Sequence, residues 1–181
     1  MQQGVIVAAM ANLILIGPMG AGKTSVGRAL ANRLERTFFD SDREIESRCG
    51  VDIPTIFEFE GEEGFRNRES RIIDQLTRET DIVLATGGGA VLREQNREHI
   101  AHRGHVILLS VELKEQLRRV TRDTKRPLLA DVDHETRLQQ LWEARGPLYR
   151  SVADVEVATD SRRMQHVVNK IIKHLKTNDL I

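Results

Sequence analysis

The chain contains 181 residues, a length typical of one globular domain. Its 27 lysines and arginines balance 27 aspartates and glutamates, so no overall field draws the protein to nucleic acid or to an anionic membrane. The single cysteine, Cys49, excludes an intramolecular disulfide scaffold and favours a reducing, cytoplasmic compartment.

The first predicted element is a buried strand at residues 12–16, at the end of an apolar N-terminal stretch. The stretch has the hydropathy of a signal peptide, but no basic residue precedes Lys23 and the apolar run is shorter than the ~20 residues of a membrane helix. We therefore predict neither a signal peptide nor a membrane segment. Residues 1–11 are interpreted as an extension that leads into the strand, with translation from either Met1 or Met10.

A glycine-rich loop follows this strand directly and precedes a segment of helical periodicity. Residues 17–24 match the phosphate-binding pattern G-x-x-x-x-G-K-[ST] in the strand-to-helix context that the pattern requires. Glycines let backbone N–H groups turn inward around an anion, and the helix N-terminus adds a positive dipole. We predict that Lys23 reaches the β- and γ-phosphates of a nucleoside triphosphate and that the Thr24 hydroxyl binds Mg²⁺. A glycine turn that only reverses the chain is the alternative.

The rest of the chain alternates short apolar runs, predicted as strands, with longer segments of helical periodicity. The strands are residues 12–16, 37–39, 82–85, 106–109 and 155–158, and the helices are residues 23–35, a segment within 62–79 and a C-terminal segment around 167–175. Crossover helices bury both faces of a parallel sheet, which accounts for strands that are apolar throughout. The predicted fold class is therefore α/β, and the last helix is expected to cover a sheet face.

Two polar stretches, residues 42–62 and 122–133, interrupt this alternation and are predicted to be insertions or lids. The densest basic run in the chain, residues 118–126, reaches into the second stretch. It contains no aromatic residue to stack on bases, so a lid arginine, Arg126, that stabilises a transferring phosphate fits better than a nucleic-acid patch. Solvated surface charge is the alternative for the other basic residues of the run.

Two aspartates, Asp40 and Asp42, follow the second predicted strand. This is the carboxyl end of the strand, where ligands of open α/β sheets bind. As alternate residues of an extended segment, both would face the cleft, one towards Mg²⁺ and the other towards an acceptor hydroxyl. The alternative is that Asp42 caps a helix beginning at Arg43.

Two arginines and a triple glycine complete the candidate site. Arg66 and Arg145 would give bidentate recognition of one carboxylate, which suggests an acid as the acceptor. For Arg66, a surface ion pair with Glu62, one turn earlier, is the alternative. Glycines 87–89 either let the backbone approach a ligand or form a plain turn.

Two further patterns are set aside. His99, His102 and His105 have the spacing of metal ligands, but Gly104 interrupts the helix and would turn the third histidine away from the common face. Cys49 has no candidate base near it in the sequence, so we predict no catalytic thiol.

In combination, these motifs resemble the shikimate kinase family. They occur in the family's order and extend over nearly the whole chain from about Asn12. The matching segments are Gly17–Ser25, Phe39–Asp42, Gly61–Arg66, Ala85–Val91, Lys125–Leu129 and Arg145–Tyr149. The resemblance implies a three-layer fold with a five-stranded parallel sheet in a single domain, residues 1–181, with an acceptor-binding insertion at about 42–65 and a lid at about 122–133. It implies transfer of the γ-phosphoryl group of ATP to the 3-hydroxyl of shikimate.

The resemblance also implies a role for each matching residue. ATP would be bound by Gly20, Ala21, Gly22, Lys23, Thr24, Ser25 and Arg126. Shikimate would be bound by Asp42, Arg66, Gly88 and Arg145, with the arginines on its carboxylate. Thr24 and Asp40 would hold one Mg²⁺ ion, Lys23, Asp42 and Arg126 would act in catalysis, and Arg119 and Arg162 would flank the adenine. The expected partners are ATP and shikimate, without nucleic acid or membrane, and the protein is expected to be a monomer.

Two other functions remain open at this point. A gluconate-type kinase shares the loop and an acidic acceptor, but it does not account for Asp42, Arg66 and Arg145 together. A nucleotide-gated binding module would use the same loop without transferring phosphate.

Overall fold

The computed structural model describes residues 11–121, 134–159 and 164–181. These residues form a five-stranded sheet and seven α-helices. The strands are β1 (Asn12–Ile16), β2 (Thr37–Asp40), β3 (Ile82–Ala85), β4 (Gly104–Ser110) and β5 (Val155–Ala158). The helices are α1 (Lys23–Leu34), α2 (Ser41–Cys49), α3 (Ile53–Leu76), α4 (Glu94–Arg103), α5 (Leu113–Val120), α6 (His134–Val152) and α7 (Met164–Thr177).

Every strand pair in the sheet is parallel, and the strands lie in the order β2-β3-β1-β4-β5. The central strand, β1, is buried along its whole length, with Leu13 opposite Val83 of β3 on one side and opposite His105 of β4 on the other. Because parallel neighbours end at the same edge, the residues that follow β1, β2 and β3 lie side by side. The α/β fold class is confirmed.

Helices cover both faces of the sheet, which explains the buried apolar runs of the three central strands, β3, β1 and β4, whereas the edge strands β2 and β5 are partly exposed. Successive residues of β1 enter different clusters, because strand side chains alternate between faces. The cluster on one face joins strand residues to α2, α3, α4 and α6 and includes Ile14, Ile16, Ile45, Ile73, Leu84, Ile100, Leu108 and Tyr149. The cluster on the other face joins them to α1 and α7 and includes Leu13, Leu15, Leu30, Val83, Ile107, Val168, Ile171 and Leu175. The expectation that the last helix covers a sheet face is confirmed.

The stretch predicted as an insertion, residues 42–62, is largely helical. Asp40 caps the start of α2, and the Asp52 side chain accepts a hydrogen bond of 3.0 Å from the Thr55 backbone N–H at the start of α3. The helix expected within residues 62–79 is the second half of α3, and α3 itself begins earlier, at Ile53. Its periodicity is hidden because Gly61 interrupts the helical backbone, with φ 68° and ψ −176°.

The three spaced histidines lie on two different elements. His99 and His102 are on α4, whereas His105 is on β4, since the helix ends at Arg103. The His105 Nε2 atom lies 3.2 Å from His174 Nε2 on α7, and its Nδ1 atom lies 3.4 Å from Asp154. His105 therefore belongs to the contact between the sheet and α7.

Several predicted features lie in parts of the chain that the structure does not describe. The predicted lid at 122–133, with Arg126, lies outside the described residues, as do Arg162 and most of the predicted N-terminal extension. Across residues 11–121, 134–159 and 164–181, no helix combines the length and apolar character needed to cross a membrane.

Candidate active site

The loop between β1 and α1 has the backbone geometry of a phosphate cradle. Gly17, Gly20 and Gly22 have φ values of 138°, 75° and 89°, which residues other than glycine rarely adopt. A Cβ atom at Gly17 would lie only 2.3 Å from the carbonyl oxygen of Leu109, so the loop passes directly over the end of β4. The predicted strand-loop-helix context is present, since α1 begins at Lys23.

The Lys23 side chain folds over this loop. Its Nζ atom donates hydrogen bonds of 2.7 Å to the Gly17 carbonyl and 2.8 Å to the Pro18 carbonyl. The residue is 9% exposed, so its ammonium group lies within the loop rather than in solvent. This position puts a fixed positive charge beside the backbone N–H groups that would face an anion.

Thr24 and Asp40, the two predicted metal ligands, are in direct contact. Thr24 Oγ1 donates a hydrogen bond of 2.7 Å to Asp40 Oδ2. The other carboxylate oxygen of Asp40 accepts hydrogen bonds from the backbone N–H groups of Asp42, at 3.2 Å, and Arg43, at 3.3 Å. A hydroxyl and a carboxylate oxygen held together are the donor set that Mg²⁺ prefers.

The structure corrects two expectations about Asp42. The helix cap is Asp40 and not Asp42, because α2 already begins at Ser41. Asp42 is therefore in the first turn of a helix and not in an extended segment, so the argument from alternating residues is wrong. Asp42 nevertheless lines the same cavity as Asp40, since the turn of the helix brings it back over the sheet edge.

The triple glycine after β3 makes room for charged side chains. A Cβ atom at Gly87 would lie 2.6 Å from Asp42 Oδ1 and 2.9 Å from Glu69 Oε1. A Cβ atom at Gly89 would lie 2.3 Å from Arg66 Nη1. These glycines do more than turn the chain, because any side chain there would displace the charged groups of the site.

Arg66 is buried and held by two carboxylates. Its Nη1 atom donates a hydrogen bond of 2.7 Å to Glu69 Oε2, and its Nη2 atom donates one of 3.2 Å to Glu62 Oε1. Burial by itself would lower the pKa of Arg66, but Glu69 and Glu62 outweigh it and raise that pKa. Arg66 thus forms the ion pair with Glu62 and also lines the candidate site.

Glu69 is the principal residue of the site that sequence reasoning missed. It is 0% exposed, and burial raises the pKa of its carboxyl group, against the opposing effect of Arg66. Its spacing of three residues from Arg66 on a helix is a signal that could have found it. Glu69 fixes the direction of the Arg66 guanidinium.

Arg145 reaches the same cavity as Arg66 from α6. Its Nη1 atom donates a hydrogen bond of 3.3 Å to the Gly88 carbonyl. Tyr149, one turn further along α6, donates to the same oxygen. The predicted acceptor residues Arg145 and Gly88 are therefore in contact with each other.

A single cavity of about 440 Å³ collects these side chains. The predicted site residues that line it are Thr24, Asp40, Asp42, Arg66, Gly88 and Arg145. Lining residues that sequence reasoning did not name include Met19, Arg43, Glu46, Ile53, Pro54, Phe57, Phe65 and Glu69. The cavity joins the end of the phosphate loop, at Met19 and Thr24, to a pocket with guanidinium groups and an apolar side.

Arg119 lies beside the phosphate loop and does not line the cavity. Its Nη1 atom donates hydrogen bonds of 3.0 Å to the Gly20 carbonyl and 3.2 Å to Thr159 Oγ1. It therefore links α5 to the loop and to the end of β5. Its contact with adenine stays a prediction.

Comparison with known proteins identifies the family. The family model described as shikimate kinase matches residues 19–176. The shikimate kinase of Thioalkalivibrio sulfidiphilus is 54% identical over 168 residues, which cover 93% of this chain and 88% of that relative. The shikimate kinase of Legionella pneumophila (strain Corby) is 54% identical over 164 residues, covering 91% and 94% of the two chains.

A solved structure shows the same similarity in three dimensions. It is the shikimate kinase from Acinetobacter baumannii in complex with shikimate, with a TM-score of 0.91 and 46% identity, and the match covers 95% of this chain and 96% of that one. Both the sequence and the fold therefore match along nearly the whole chain. The chain belongs to the shikimate kinase family of ATP-dependent kinases.

Proposed function

We propose that the cavity between the phosphate loop and α3 transfers the γ-phosphoryl group of ATP to the 3-hydroxyl of shikimate, giving shikimate 3-phosphate and ADP. The observation that carries this proposal is the lining of one cavity by Thr24 and Asp40, from the nucleotide side, and by Arg66 and Arg145, from the acceptor side. Both substrates would therefore bind next to each other in one cavity. Family membership disfavours the gluconate alternative.

The acceptor is held by its carboxylate and its hydroxyl groups. Arg66, fixed by Glu62 and Glu69, and Arg145 supply two planar guanidinium groups for the carboxylate. Asp42 approaches from α2 and binds the hydroxyls, and Gly88 contributes to the floor of the pocket. This arrangement favours a small acid that carries hydroxyl groups over a neutral sugar.

The nucleotide is held by the loop residues Gly20 to Ser25, with the Lys23 ammonium on the β- and γ-phosphates. Thr24 and Asp40 would hold one Mg²⁺ ion, since their oxygens already lie 2.7 Å apart. When bound, this ion neutralises charge on the phosphate oxygens. Arg126 is proposed to contact the transferring phosphoryl group from the lid.

In the transfer step, Asp42 orients the 3-hydroxyl for in-line attack and accepts its proton. The bond between that oxygen and the γ-phosphorus forms while the bond to the β–γ bridging oxygen breaks, and ADP leaves with the electron pair. Lys23 stays beside the phosphates throughout and stabilises the negative charge on their oxygens. Exclusion of water from the cavity suppresses hydrolysis of ATP.

We also propose the wider organisation that these roles require. Residues 1–181 act as one kinase domain, with the acceptor-binding insertion at about 42–65 and the lid at about 122–133. The free Cys49 supports a cytoplasmic location, and the balanced charge argues against a nucleic-acid partner. The proposed state is a monomer whose partners are ATP and shikimate.

A coupled ADP-release assay that compares shikimate with gluconate tests the function. We expect ADP release with shikimate only and a product heavier by one phosphoryl group in mass spectrometry. Lys23→Ala should abolish turnover, whereas Lys114→Ala, at an exposed lysine of α5, should not. ATP binding without a phosphorylated product would instead support the binding module, and turnover by Lys23→Ala would contradict the role of the loop.

A further inference from the structure

One half of an interrupted helix supplies the apolar side of the acceptor cavity. We call this side the apolar wall; it consists of Ile53, Pro54 and Phe57. The wall lies in the first half of α3, before the interruption at Gly61. The second half of α3 carries the buried Arg66 and so belongs to the polar side of the same cavity.

The interruption at Gly61 results from its backbone conformation and not from crowding by neighbouring atoms. Gly61 has φ 68° and ψ −176°, and a Cβ atom there would have no neighbour within 4 Å. The helix therefore does not by itself set the direction of its first half relative to its second. Other contacts must hold the apolar wall at its distance from the polar side.

A pair of charged residues bridges the interruption. Arg68, in the second half, donates from Nε to Glu60 Oε2 at 2.8 Å and from Nη2 to Glu60 Oε1 at 2.5 Å. This is the two-bond, fork-to-carboxylate geometry that makes such pairs directional. The Arg68 Nη1 atom also donates to Cys49 Sγ at 3.3 Å, which ties the pair to the end of α2.

The backbone next to the pair is shaped to admit it. A Cβ atom at Gly64 would lie 2.4 Å from Glu60 Cβ and 3.0 Å from Glu60 Oε2. Only a residue without a side chain at position 64 lets Glu60 lie against the second half of α3. The ring centroids of Phe57 and Phe65 are 4.8 Å apart across the interruption, so a shift of the first half would also open this aromatic contact.

We propose that Arg68 is a positioning residue for the acceptor: its pair with Glu60 across Gly61 holds the apolar wall against the ring of a small carboxylate-bearing acceptor. The inference rests on the proposed function of the cavity. Arg68 touches no substrate, and it acts through the first half of α3. It therefore governs acceptor binding and leaves ATP binding and the transfer step alone.

The expected effect is moderate. The two side chains are 40% and 38% exposed, so water and salt screen the pair. Exposed pairs of good geometry contribute at most about 1 kcal/mol, which corresponds to about a fivefold change in an equilibrium constant.

Steady-state kinetics of the full chain test the positioning role. We expect Arg68→Gln to raise the KM for shikimate about fivefold, with the KM for ATP and kcat within about twofold of wild type. Arg68→Lys keeps the charge but loses the planar guanidinium, so its KM for shikimate should lie between those of wild type and Arg68→Gln. Arg78→Gln is the matched control, because Arg78 makes an exposed ion pair with Asp74 away from the interruption.

A second variant disrupts the Arg68–Glu60 pair without changing any charge. Gly64→Ala should raise the KM for shikimate as Arg68→Gln does, because its Cβ displaces Glu60, although alanine favours helix formation. In the double variant Glu60→Gln/Arg68→Gln, we expect no further increase over either single change. Additive effects, an unchanged KM for shikimate, or equal changes in both KM values would overturn the proposal.

Hydrogen exchange provides a readout that does not depend on turnover. In the protein without substrates, Arg68→Gln should speed amide exchange in residues 53–60 and leave residues 66–76 as in wild type. Unchanged exchange in 53–60 would count against the pair as a positioning device. Absence of shikimate turnover by the wild-type protein would refute the proposed function, while the exchange result would still decide whether the pair holds the wall.

Discussion

The hydroxyl group of Tyr149, on α6, donates a hydrogen bond to the carbonyl oxygen of Gly88, in the turn after β3. Burial raises the pKa of Tyr149 to about 12, so the hydroxyl keeps its proton and remains a donor throughout the physiological range. Arg145 donates to the same carbonyl from one turn earlier on α6. One helix thus positions both the arginine that is proposed to bind the acceptor and the glycine turn that it contacts.

Replacement of this tyrosine tests that connection. Tyr149→Phe keeps the ring but removes the donor, and it should lower the free energy of unfolding by about 0.5–1.5 kcal/mol because the Gly88 carbonyl loses one of its two donors and keeps Arg145. We expect the KM for shikimate to rise more than the KM for ATP. Urea unfolding and steady-state kinetics measure the two effects. Unchanged acceptor binding would show that the bond serves stability alone.

The planar fork of Arg145 should matter more than its charge. Arg145→Lys replaces two directed donors with a point charge, and loss of one charged hydrogen bond should raise the KM for shikimate about tenfold or more. The KM for ATP should stay within about twofold of wild type. Arg150→Lys is the control on the same helix, since Arg150 lies over Trp142 and outside the cavity lining. An effect confined to ATP would contradict the carboxylate role.

The charge of Asp40 can be separated from its helix-capping role. Asparagine is also a good N-cap, so Asp40→Asn should keep the start of α2 intact but weaken the predicted Mg²⁺ site. We expect activity to require a higher concentration of free Mg²⁺, with little change in Tm. Asp40→Ala should in addition lower stability by about 1 kcal/mol. A titration with Mg²⁺ that matches wild type would argue against Asp40 as a ligand.

The contact between His105 and His174 predicts a loss of stability in acid. Burial lowers the pKa of His105 below its ordinary value of 6.5; Asp154 opposes this shift and His174 adds to it. The folded protein therefore binds fewer protons near pH 6 than the unfolded chain, so stability falls as the pH drops below that ordinary value.

Thermal unfolding as a function of pH checks this sign. His105→Gln should reduce the fall in Tm between about pH 7.5 and about pH 5.5, because the titrating group is removed. The control is His102→Gln, at an exposed position on α4. An equal fall in Tm for wild type and His105→Gln would mean that other groups cause the acid sensitivity.

The sheet and the phosphate loop could be predicted from the sequence because their signals are local. Continuous apolar runs mark the strands, and residues 17–24 have a spacing that few other structures require. The start of α2 was misjudged because the capping residue is itself the last residue of a strand. No short-range pattern shows that one position belongs to both elements.

Glu69 could not be recognised in the same way. A glutamate in a helical segment is usually exposed, and only the folded chain shows that this one is buried beside Arg66 and against Gly87. Helix α3 is also hard to recognise in the sequence, because Gly61 has non-helical backbone angles and interrupts the helical periodicity. The burial of Glu69 depends on Gly87, which is distant in sequence, whereas the interruption shows only in the backbone conformation of Gly61.

The position of Asp40 restricts how acceptor preference can change in this fold. The residue ends β2, caps α2 and accepts the hydrogen bond from Thr24, so one side chain serves the nucleotide side and supports the helix that carries Asp42. A substitution there that also removes the helix cap, such as Asp40→Ala, would alter both proposed substrate sites at once. We therefore expect redesign for another small acid to have more freedom at Ile53 and Phe57, which line the cavity from α3 and belong neither to the phosphate loop nor to the cap of α2.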